Sequence, residues 1–514
     1  MPDVDVLIAG AGPTGLVLAL WLARSGVRIR IVDKVPEPGT TSRALVVHAR
    51  TLEFYRQLGI ADSVVAAAVR FTTLNLWVGG QHVARVDLGP LGEGITAFPF
   101  LLIFPQDEHE RLLIDKLREA GASVERPCEL RGFEDRGDRI AAQLRHGDGR
   151  DETCEAAFLA GCDGAHSTVR ETLAAGFPGG TYSHLFYVAD VTATGPVMNG
   201  ELNVALDAAD LLAVFPMKGN SSVRLVGTID RQNAQHGQGA PHAQWSDIGH
   251  DVIDRLRIDV TRVNWFSTYR VHHRVAGHFR FGRTFLLGDA AHIHSPVGGQ
   301  GMNTGIGDAV NLAWKLACVI RNGASERLLD TYEPERIAFA RRLVASTDRA
   351  FQLASSDGPV ARFVRLRVIP RLLPSLFTHR AVRRFMFRTV SQTAIEYRHS
   401  VLSSGAAGRV QAGDRLPWVE AAAPGEDNHA ALSARDWQMH VYGDAERAVV
   451  EACRQRTLAL HAFAWRDSMR DAGFERDAMY LIRPDGYVAF AQARPDVTAL
   501  LRYLGDWKIA SRHR

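Results

Sequence analysis

Cysteine is scarce in this chain, which has five cysteines among its 514 residues. None of them lies in a C-x-x-C pair, so the sequence offers neither a disulfide framework nor the ligand spacing of a zinc site. We therefore expect a reduced, cytoplasmic protein with buried thiols and no metal. The five are Cys128, Cys154, Cys162, Cys318 and Cys453.

A strong net charge is also missing. The 60 basic and 57 acidic side chains leave a net charge of +3, and a nucleic-acid-binding protein usually shows a clustered basic face. We therefore expect no nucleic-acid partner. Residues 361–400 nevertheless hold nine arginines and one acid. They could meet an anionic partner or a membrane surface, but we favour solvated helices packed on the neighbouring domain, and Pro370 and Pro374 argue against one long amphipathic helix.

Long apolar runs are almost absent. The longest apolar run covers residues 6–23, which are 18 residues without a charge, near the lower limit for a membrane span. Asp3 and Asp5 precede it where a signal peptide requires basic residues, and a Gly-Ala-Gly-Pro-Thr-Gly turn divides it. We expect a strand, a turn and a buried helix there, in a soluble protein without a membrane partner.

That turn has the spacing of a dinucleotide-binding β-α-β unit. Gly10 permits a tight turn, Gly12 lets the backbone approach a pyrophosphate, and Gly15 lets the helix pack against the strand. The helix start then offers free N–H groups and the positive end of its dipole to the phosphates. Asp33 ends the next strand, where it can accept hydrogen bonds from ribose hydroxyls. The pattern predicts a bound dinucleotide without deciding between NAD and FAD.

A second glycine-rich turn lies in "FLLGDAAHIHSPVGGQGMNTG", residues 285–305. A strand is expected before it and a helix after it, with Gly323 as the helix C-cap. The start of this helix, near Gly301, would stabilise the negative charge that reduced flavin carries near N1 and the C2 carbonyl. Asp289 could bond the ribitol hydroxyls, which NAD lacks. Since FAD is long enough to reach both turns, the pair favours FAD.

These segments resemble the FAD-dependent aromatic hydroxylases, the single-component (group A) flavoprotein monooxygenases. Between the two turns, "LAGCDGAHSTVR" is similar to the DG motif of that family, which contacts FAD and takes part in NAD(P)H use. Further similarities are "SRALVVHARTLE", "FPQDEHERLL" and "LIRPDGYVAF". The resemblance is closest to hydroxylases of phenols and aromatic polyketides that carry a thioredoxin-like C-terminal domain.

The resemblance implies an α/β fold with three parts. They are a Rossmann-like FAD-binding domain of the para-hydroxybenzoate hydroxylase type (1–70, 100–182 and 272–350), an α+β substrate domain with an antiparallel sheet (71–99 and 183–271), and a thioredoxin-like C-terminal domain (401–514) after connecting helices (351–400). Without a C-x-x-C pair, the last domain cannot perform dithiol chemistry, so we expect a structural or dimer-contact role for it.

The resemblance also implies the cofactors and the reaction. NADPH or NADH would reduce FAD, O₂ would give a flavin C4a-hydroperoxide, and this would hydroxylate a phenolic or polyketide-like small molecule. We expect Pro296 and Arg43 to act at the reacting end of the flavin. The expected cofactor-binding residues are Gly10, Gly12, Pro13, Thr14, Gly15, Asp33, Lys34, Arg43, Gln106, Asp163, Gly164, Gly288, Asp289, Pro296, Gly299, Gly301, Met302 and Asn303.

The substrate pocket is harder to predict. Trp77, Phe98, Phe100 and Phe215 could line an apolar aromatic pocket, although each is more often ordinary core. His292 and His294 form an H-x-H pair without evident further ligands, so no metal site is expected. The alternatives are Baeyer–Villiger oxygenation on the same scaffold and a non-redox FAD-holding scaffold, while a halogenase is disfavoured because W-x-W is absent. The protein could be a monomer or a homodimer.

Overall fold

The structure is a computed structural model of the 514-residue chain. It describes residues 2–39, 44–206, 211–219, 221–229, 244–248, 250–295, 297–355, 358, 362–420 and 426–509.

The strands of the described residues form four sheets. In chain order they are β1 (Val4–Ala9), β2 (Ile29–Val32), β3 (Val46–Val47), β4 (Val69–Phe71), β5 (Thr73–Val78), β6 (Gln81–Asp87), β7 (Leu101–Ile103), β8 (Val124–Glu125), β9 (Cys128–Asp135), β10 (Ile140–His146), β11 (Asp151–Gly161), β12 (Gly179–Thr194), β13 (Leu202–Leu206), β14 (Leu211–Pro216), β15 (Ser222–Ile229), β16 (Asp259–Val275), β17 (Arg280–Phe281), β18 (Thr284–Leu286), β19 (His292–Ile293), β20 (Ser404–Ala407), β21 (Val410–Gln411), β22 (Gln438–Tyr442), β23 (Ala459–Phe463), β24 (Met479–Ile482) and β25 (Val488–Gln492).

The α-helices cover or connect these sheets. In chain order they are α1 (Pro13–Arg24), α2 (Ala49–Gln57), α3 (Ala61–Ala67), α4 (Gln106–Glu119), α5 (Thr168–Thr172), α6 (Asp251–Arg255), α7 (Gln300–Asn322), α8 (Arg327–Asp330), α9 (Tyr332–Ser355), α10 (Ile369–Thr378), α11 (Arg380–Val390), α12 (Arg447–Gln455), α13 (Asp467–Ala472) and α14 (Val497–Asp506).

The first sheet has a parallel centre in the order β18-β11-β1-β2-β8, with β17, β10 and β9 added antiparallel. The central strands are nearly continuous runs of buried residues, such as Val6 to Ala9, as expected for strands covered on both faces. Helices α1 and α7 pack against each other beside this sheet. Because β18, β11 and β1 are adjacent and parallel, their carboxyl ends meet at one edge.

The second sheet has the order β19-β16-β12-β15-β14-β13-β5-β6. It was expected to be antiparallel, and all its pairs are antiparallel except β13 with β5. One face has its own buried core, built on Tyr187, Val214 and Leu225 and covered by α6. The edge strand β19 comes directly from the second glycine-rich turn, so this sheet is joined to the first domain beside that turn.

The third sheet belongs to the C-terminal residues and has the order β21-β20-β25-β24-β22-β23. Strands β22 and β23 are parallel, as are β20 and β25, whereas β24 runs antiparallel to both of its neighbours, β22 and β25. Its core is continuous with the core of the first domain, since Trp437 packs edge-on against Trp314 of α7 at a centroid distance of 5.5 Å. A fourth, antiparallel sheet has the order β3-β7-β4. In the chain, β4 directly precedes β5 of the second sheet, and β7 follows β6.

Two expectations about helices are settled here. In the described part of the chain, no helix combines the length and the apolarity that crossing a membrane requires. Pro370 lies at the start of α10, but Pro374 lies inside that helix rather than ending it. The run is nonetheless divided, because α10 ends at Thr378 and α11 begins at Arg380.

Candidate cofactor and active site

Three sequence motifs meet at one edge of the first sheet. Strand β1 leads into Gly10, β11 leads into Asp163, and β18 leads into Gly288. In parallel sheets, ligands bind outside the carboxyl ends of the strands. Residues that are up to about 280 positions apart in sequence therefore lie at the same edge, because β1 and β18 both pair with β11.

The glycines of the first turn have different surroundings. A Cβ at Gly10, where φ is +99°, would lie 2.3 Å from the carbonyl oxygen of Cys162. A Cβ at Gly15 would lie 2.0 Å from the carbonyl oxygen of Gly10. At Gly12, by contrast, no heavy atom lies within 4 Å of the Cβ position. The first and third glycines thus allow close packing, and the second leaves open space above the start of α1, whose first residue is Pro13.

Asp33 follows β2 and braces the same turn. Its Oδ2 accepts a hydrogen bond from Ala11 N at 2.7 Å, and its Oδ1 accepts one from Val35 N at 2.9 Å. Arg126 was not predicted from the sequence; its Nη1 lies 3.4 Å from Asp33 Oδ1, and its Nη2 donates to Ala11 O at 3.3 Å. The Nε of Arg126 is buried and has no acceptor among the described residues. Lys34 is exposed beside them.

The two glycine-rich turns touch each other through Thr14. A Cβ at Gly288 would lie 2.7 Å from Thr14 Oγ1, and a Cβ at Gly305 in α7 would lie 2.3 Å from the same atom. Gly288 also has a positive φ of +56°. The threonine at the start of α1 therefore fits into a gap that only these two glycines leave, and it fixes the spacing between the starts of α1 and α7.

The start of α7 has no side-chain cap. Its N-cap residue, Gly299, has a left-handed φ of +63°. The N–H groups of Gln300, Gly301 and Met302 have no acceptor within the helix, so the positive end of the dipole is available to a ligand. Asp289 is exposed at the end of β18, beside this helix start.

Asn303 is committed to the protein through its side chain. Its Nδ2 donates to Val46 O and Gly299 O, both at 2.9 Å. Its Oδ1 accepts from His48 N at 2.9 Å and from Thr51 Oγ1 at 2.7 Å. This residue was expected to bind the cofactor, but its amide instead joins α2 to the start of α7, which leaves only its backbone for a ligand.

His48 holds the glycine loop before α7. Its Nε2 lies 3.0 Å from Gly298 O and 3.1 Å from Gly299 O, so this nitrogen donates to the two carbonyls. The side chain is fully buried, and burial lowers the pKa of His48 to about 4 despite these two bonds. The imidazole is therefore neutral near pH 7. Sequence patterns did not single it out, because its partners are about 250 residues away.

The DG segment is tied to both turns. Asp163 accepts from Ser167 Oγ at 2.5 Å and from Val169 N at 3.1 Å, and burial raises its pKa although these bonds lower it. Gly164, with φ +79°, has open space at its Cβ position. Arg170 donates to Ala290 O at 3.1 Å, which links this segment to the second turn.

Gln106, at the first position of α4, contacts the segment that begins at Ala44. Its Oε1 accepts from Ala44 N at 3.2 Å, and its Nε2 donates to Glu110 at 2.8 Å. The two residues expected to act at the reacting end, Arg43 and Pro296, lie outside the described residues.

The H-x-H pair divides into two different environments. His292 donates from Nε2 to Asp308 Oδ2 at 2.7 Å. His294 Nδ1 lies 2.8 Å from Ser295 O, and its buried Nε2 has no partner among the described residues. Burial lowers the pKa of His294 to about 4. The two rings do not share a ligand set.

A buried ion network lies behind the second turn. Asp308 accepts from Gly288 N at 3.0 Å and from Arg336 Nε at 2.6 Å. Burial would raise the pKa of Asp308, but Arg336 and His292 hold it below its usual value. Beside it, Glu335 pairs with Lys315 at 2.9 Å, and burial lowers the pKa of Lys315 to about 8. These groups were not predicted, because each pair joins separate helices.

The four aromatic residues proposed for the substrate pocket are not brought together. Trp77 pairs in register with Ala205 and bonds Asn203, on the face of the second sheet that has its own core. Phe215 points to the opposite face, because its neighbour Val214 belongs to that core and side chains alternate along a strand.

Phe215 contacts a cluster with Leu45 and Ile103, next to the first domain. Phe98 and Phe100 pack edge-on against each other at 6.3 Å within the first domain's core. Of the four, Phe215 lies on the face of the second sheet that meets the first domain, and Trp77 faces away from that domain. Arg224, paired with Asp190 at 2.6 Å, shares the face of Phe215.

Comparisons with known proteins agree with this geometry. The family model described as "FAD binding domain" matches residues 3–347. The chain is 36% identical to the 6-methylpretetramide 4-monooxygenase of Streptomyces rimosus, over 97% of this chain and 93% of that protein. It is 33% identical to the pentachlorophenol 4-monooxygenase of Sphingobium chlorophenolicum, over 69% of this chain and 66% of that protein.

Among solved structures, the anhydrotetracycline hydroxylase OxyS from Streptomyces rimosus superposes with a TM-score of 0.78. It is 29% identical, over 98% of this chain and 99% of that chain. The expected fold class, an α/β FAD-binding domain of the para-hydroxybenzoate hydroxylase type joined to a sheet-based second domain, is confirmed by these similarities.

Proposed function

Because the chain belongs to the FAD-dependent aromatic monooxygenases, we propose that it uses NAD(P)H and O₂ to hydroxylate a phenolic or polyketide-like aromatic molecule. Its relatives act on tetracycline precursors and on pentachlorophenol, as their names state. The substrate of this chain is accordingly a planar aromatic compound with an electron-rich ring carbon.

One observation carries the proposal: the two glycine-rich turns touch each other, and we take the surface that they share as a single ligand-binding groove. Thr14 of the first turn fills the gap at Gly288 and Gly305 of the second. A molecule held by its phosphates above Gly12 therefore extends directly to the start of α7. This is the arrangement that a long dinucleotide such as FAD requires, and a nicotinamide dinucleotide would leave the second turn without a function.

The residues present fit FAD at both ends. Open space above Gly12 and the start of α1 suit the pyrophosphate, and Asp33 with Arg126 borders the adenosine side. The free N–H groups of α7 suit the pyrimidine edge of the flavin, where negative charge collects on reduction. When bound, FAD would supply the redox chemistry, in which NAD(P)H provides two electrons and the two atoms of O₂ end in the hydroxylated product and in water.

The chain itself positions the substrate and excludes water. We place the aromatic substrate between the flavin end of the groove and the face of the second sheet that carries Phe215. The second turn runs directly into β19 at the edge of this sheet, which supports that placement. The buried side chains that contact Phe215 would keep water away from the reacting oxygen, which would slow its unproductive loss.

The C-terminal domain has a structural role in this proposal. Its elements follow the order β22-α12-β23-α13-β24-β25-α14, which supports the thioredoxin-like assignment. Cys453 is its one cysteine, and burial raises the pKa of that thiol to about 11, so a thiolate reaction is disfavoured.

Turnover of aromatic compounds under ¹⁸O₂ tests the proposal. FAD-loaded protein is mixed with NADPH or NADH and a panel of phenols and polyketide-like aromatics, while NAD(P)H oxidation and product mass are followed. We expect one aromatic class to accelerate NAD(P)H oxidation and to gain one ¹⁸O atom on the ring. The same mixture without an aromatic compound is the control.

Other outcomes would point to the alternatives. Oxygen inserted beside a ketone, with no ring hydroxylation, would indicate Baeyer–Villiger oxygenation. If FAD binds but no compound stimulates NAD(P)H oxidation, the protein is a scaffold and the proposed function is wrong.

A further inference from the structure

A turn of the C-terminal domain reaches the flavin end of the groove through buried contacts. This turn, residues 483–487, has the sequence Arg-Pro-Asp-Gly-Tyr and joins β24 to β25. Arg483 is fully buried and is bound by two carboxylates, Asp485 of its own turn and Glu335 of α9. A motif this polar in the interior requires a reason, because burying charges costs free energy even when they are paired.

The first route from this turn to the flavin end passes through α9. Arg483 donates to Glu335 with Nη1 at 2.8 Å and with Nη2 at 3.0 Å. The next residue, Arg336, donates to Asp308 at 2.6 Å. Asp308 in turn accepts from Gly288 N and His292, which fixes the second glycine-rich turn. Each of these side chains is at most 1% exposed.

The second route uses aromatic rings. The ring of Tyr487 packs on the ring of Tyr397 at a centroid distance of 4.4 Å. The hydroxyl of Tyr397 accepts from Arg336 Nη1 at 2.8 Å. Arg336 is therefore held from the same C-terminal turn on two sides, and its Nη2 also donates to Thr304 O in the first turns of α7.

The third route reaches the opposite side of the flavin end. Arg50 of α2 donates to Asp485 O at 2.7 Å. His48, the N-cap of the same helix, holds the carbonyls of Gly298 and Gly299 directly before α7. One short turn thus contacts the elements that fix both the segment after β18 and the loop before α7.

We propose that the turn 483–487 is a positioning element for the flavin. It sets the spacing between Gly288, which follows β18, and the start of α7. This inference rests on the proposed function only in taking FAD as the ligand of the groove. Its residues touch no reacting atom; they act through Arg336, Asp308 and His48. A structural domain linked in this way tunes the cofactor without taking part in the reaction.

Two matched asparagine substitutions test the proposal. Asp485→Asn removes one charge from the turn but keeps its shape. Asp427→Asn removes the same charge from another contact between the C-terminal domain and α2, the ion pair of Asp427 with Arg56 at 2.6 Å. Arg56 lies in the last turn of α2, at the opposite end of the helix from His48. Both variants are compared with the parent protein for thermal stability, FAD dissociation constant, flavin absorption spectrum and flavin reduction potential.

We expect Asp485→Asn to weaken FAD binding about tenfold and to change the spectrum and the potential. Asp427→Asn should also lower the thermal stability of the protein, but it should leave all three flavin properties unchanged. Arg483→Lys should give an intermediate flavin phenotype, because one ammonium cannot bridge two carboxylates as a guanidinium does.

Equal flavin properties in Asp485→Asn, Arg483→Lys and the parent protein would overturn the proposal and leave the turn a purely structural contact. Should Arg483→Lys fail to fold, Tyr487→Ala tests the aromatic route with the same readouts. None of these measurements requires substrate turnover, so they remain informative even if the hydroxylase assignment fails.

Discussion

Gly12 and Gly15 lie three residues apart but differ in what a methyl group would meet. At Gly12 the Cβ position is open, and at Gly15 it is 2.0 Å from the Gly10 carbonyl oxygen. We expect Gly12→Ala to fold with nearly unchanged stability and to bind FAD about tenfold more weakly, because its methyl group occupies the phosphate position. Gly15→Ala should instead lose at least about 3 kcal/mol of stability through overpacking.

Thermal unfolding without FAD, followed by FAD titration, separates these two effects. If Gly12→Ala binds FAD as tightly as the parent protein, the phosphates do not lie above this glycine.

His48 predicts a specific response to acid. Its pKa is about 4 in the folded protein against 6.5 for an ordinary histidine. The unfolded chain therefore binds more protons between these two values, and stability falls as the pH drops through that window. From about pH 7 to about pH 5, this one residue should account for a loss of about 2 kcal/mol.

Urea unfolding at both pH values measures this loss. His48→Gln can still donate to the glycine carbonyls but does not titrate in this range, so it should show a loss smaller by that amount. Equal losses in the two proteins would mean that the folded His48 is protonated as easily as the unfolded one.

Residue identity in the first turn could be predicted because glycine spacing encodes local geometry. Gly10, Gly12 and Gly15 are close in sequence, and the spacing alone indicates their roles. His48 and Arg126 could not be predicted, because their partners come from distant segments that only the sheet order brings together. Asn303 was chosen for its position near the helix start, yet its amide serves the protein rather than the ligand.

At the level of elements, the second sheet has two faces with different duties. Because side chains alternate along β14, Val214 lies in the sheet's own core and Phe215 points toward the first domain. The sequence could show that the strands alternate, but it could not show which face meets the cofactor. Trp77 was assigned to the pocket for this reason, and the structure places it on the other face.

Substitutions on the two faces should separate substrate binding from stability. We expect Phe215→Ala to raise the KM for the aromatic substrate several-fold with a smaller change in FAD affinity. Trp77→Ala, the control on the opposite face, should lose about 3 kcal/mol of stability, as is typical of a large aromatic truncation, and keep the KM of the parent protein.

Steady-state kinetics and thermal unfolding of both variants check this prediction. A KM that changes in Trp77→Ala but not in Phe215→Ala would place the substrate on the other face of the sheet.

For the whole molecule, the order of domains in sequence does not indicate how tightly they are joined. The sequence led us to expect a C-terminal domain with a structural or dimer-contact role. In the structure, part of its core is continuous with the core of the first domain, and Trp437, Met439 and Phe490 belong to that shared core. Amino-acid composition could not show this, because an apolar side chain is the same residue type whether it packs within its own domain or against another one.

The shared core predicts that the first and C-terminal domains unfold together. Besides the apolar contact of Trp314 with Trp437, the pairs Glu335–Arg483 and Glu53–Arg415 cross the boundary in buried positions. Removing residues 403–514 would take Arg483 from Glu335 and Arg415 from Glu53, so that each glutamate would keep one cation, Lys315 or Arg50, and lose the other. Losing a partner from a buried ion cluster destabilises the fold. Calorimetry of the full chain should therefore show one transition for these two domains, and the shortened chain should be insoluble or unable to bind FAD.

Two separate transitions, or a shortened chain that binds FAD with the affinity of the full protein, would contradict this view.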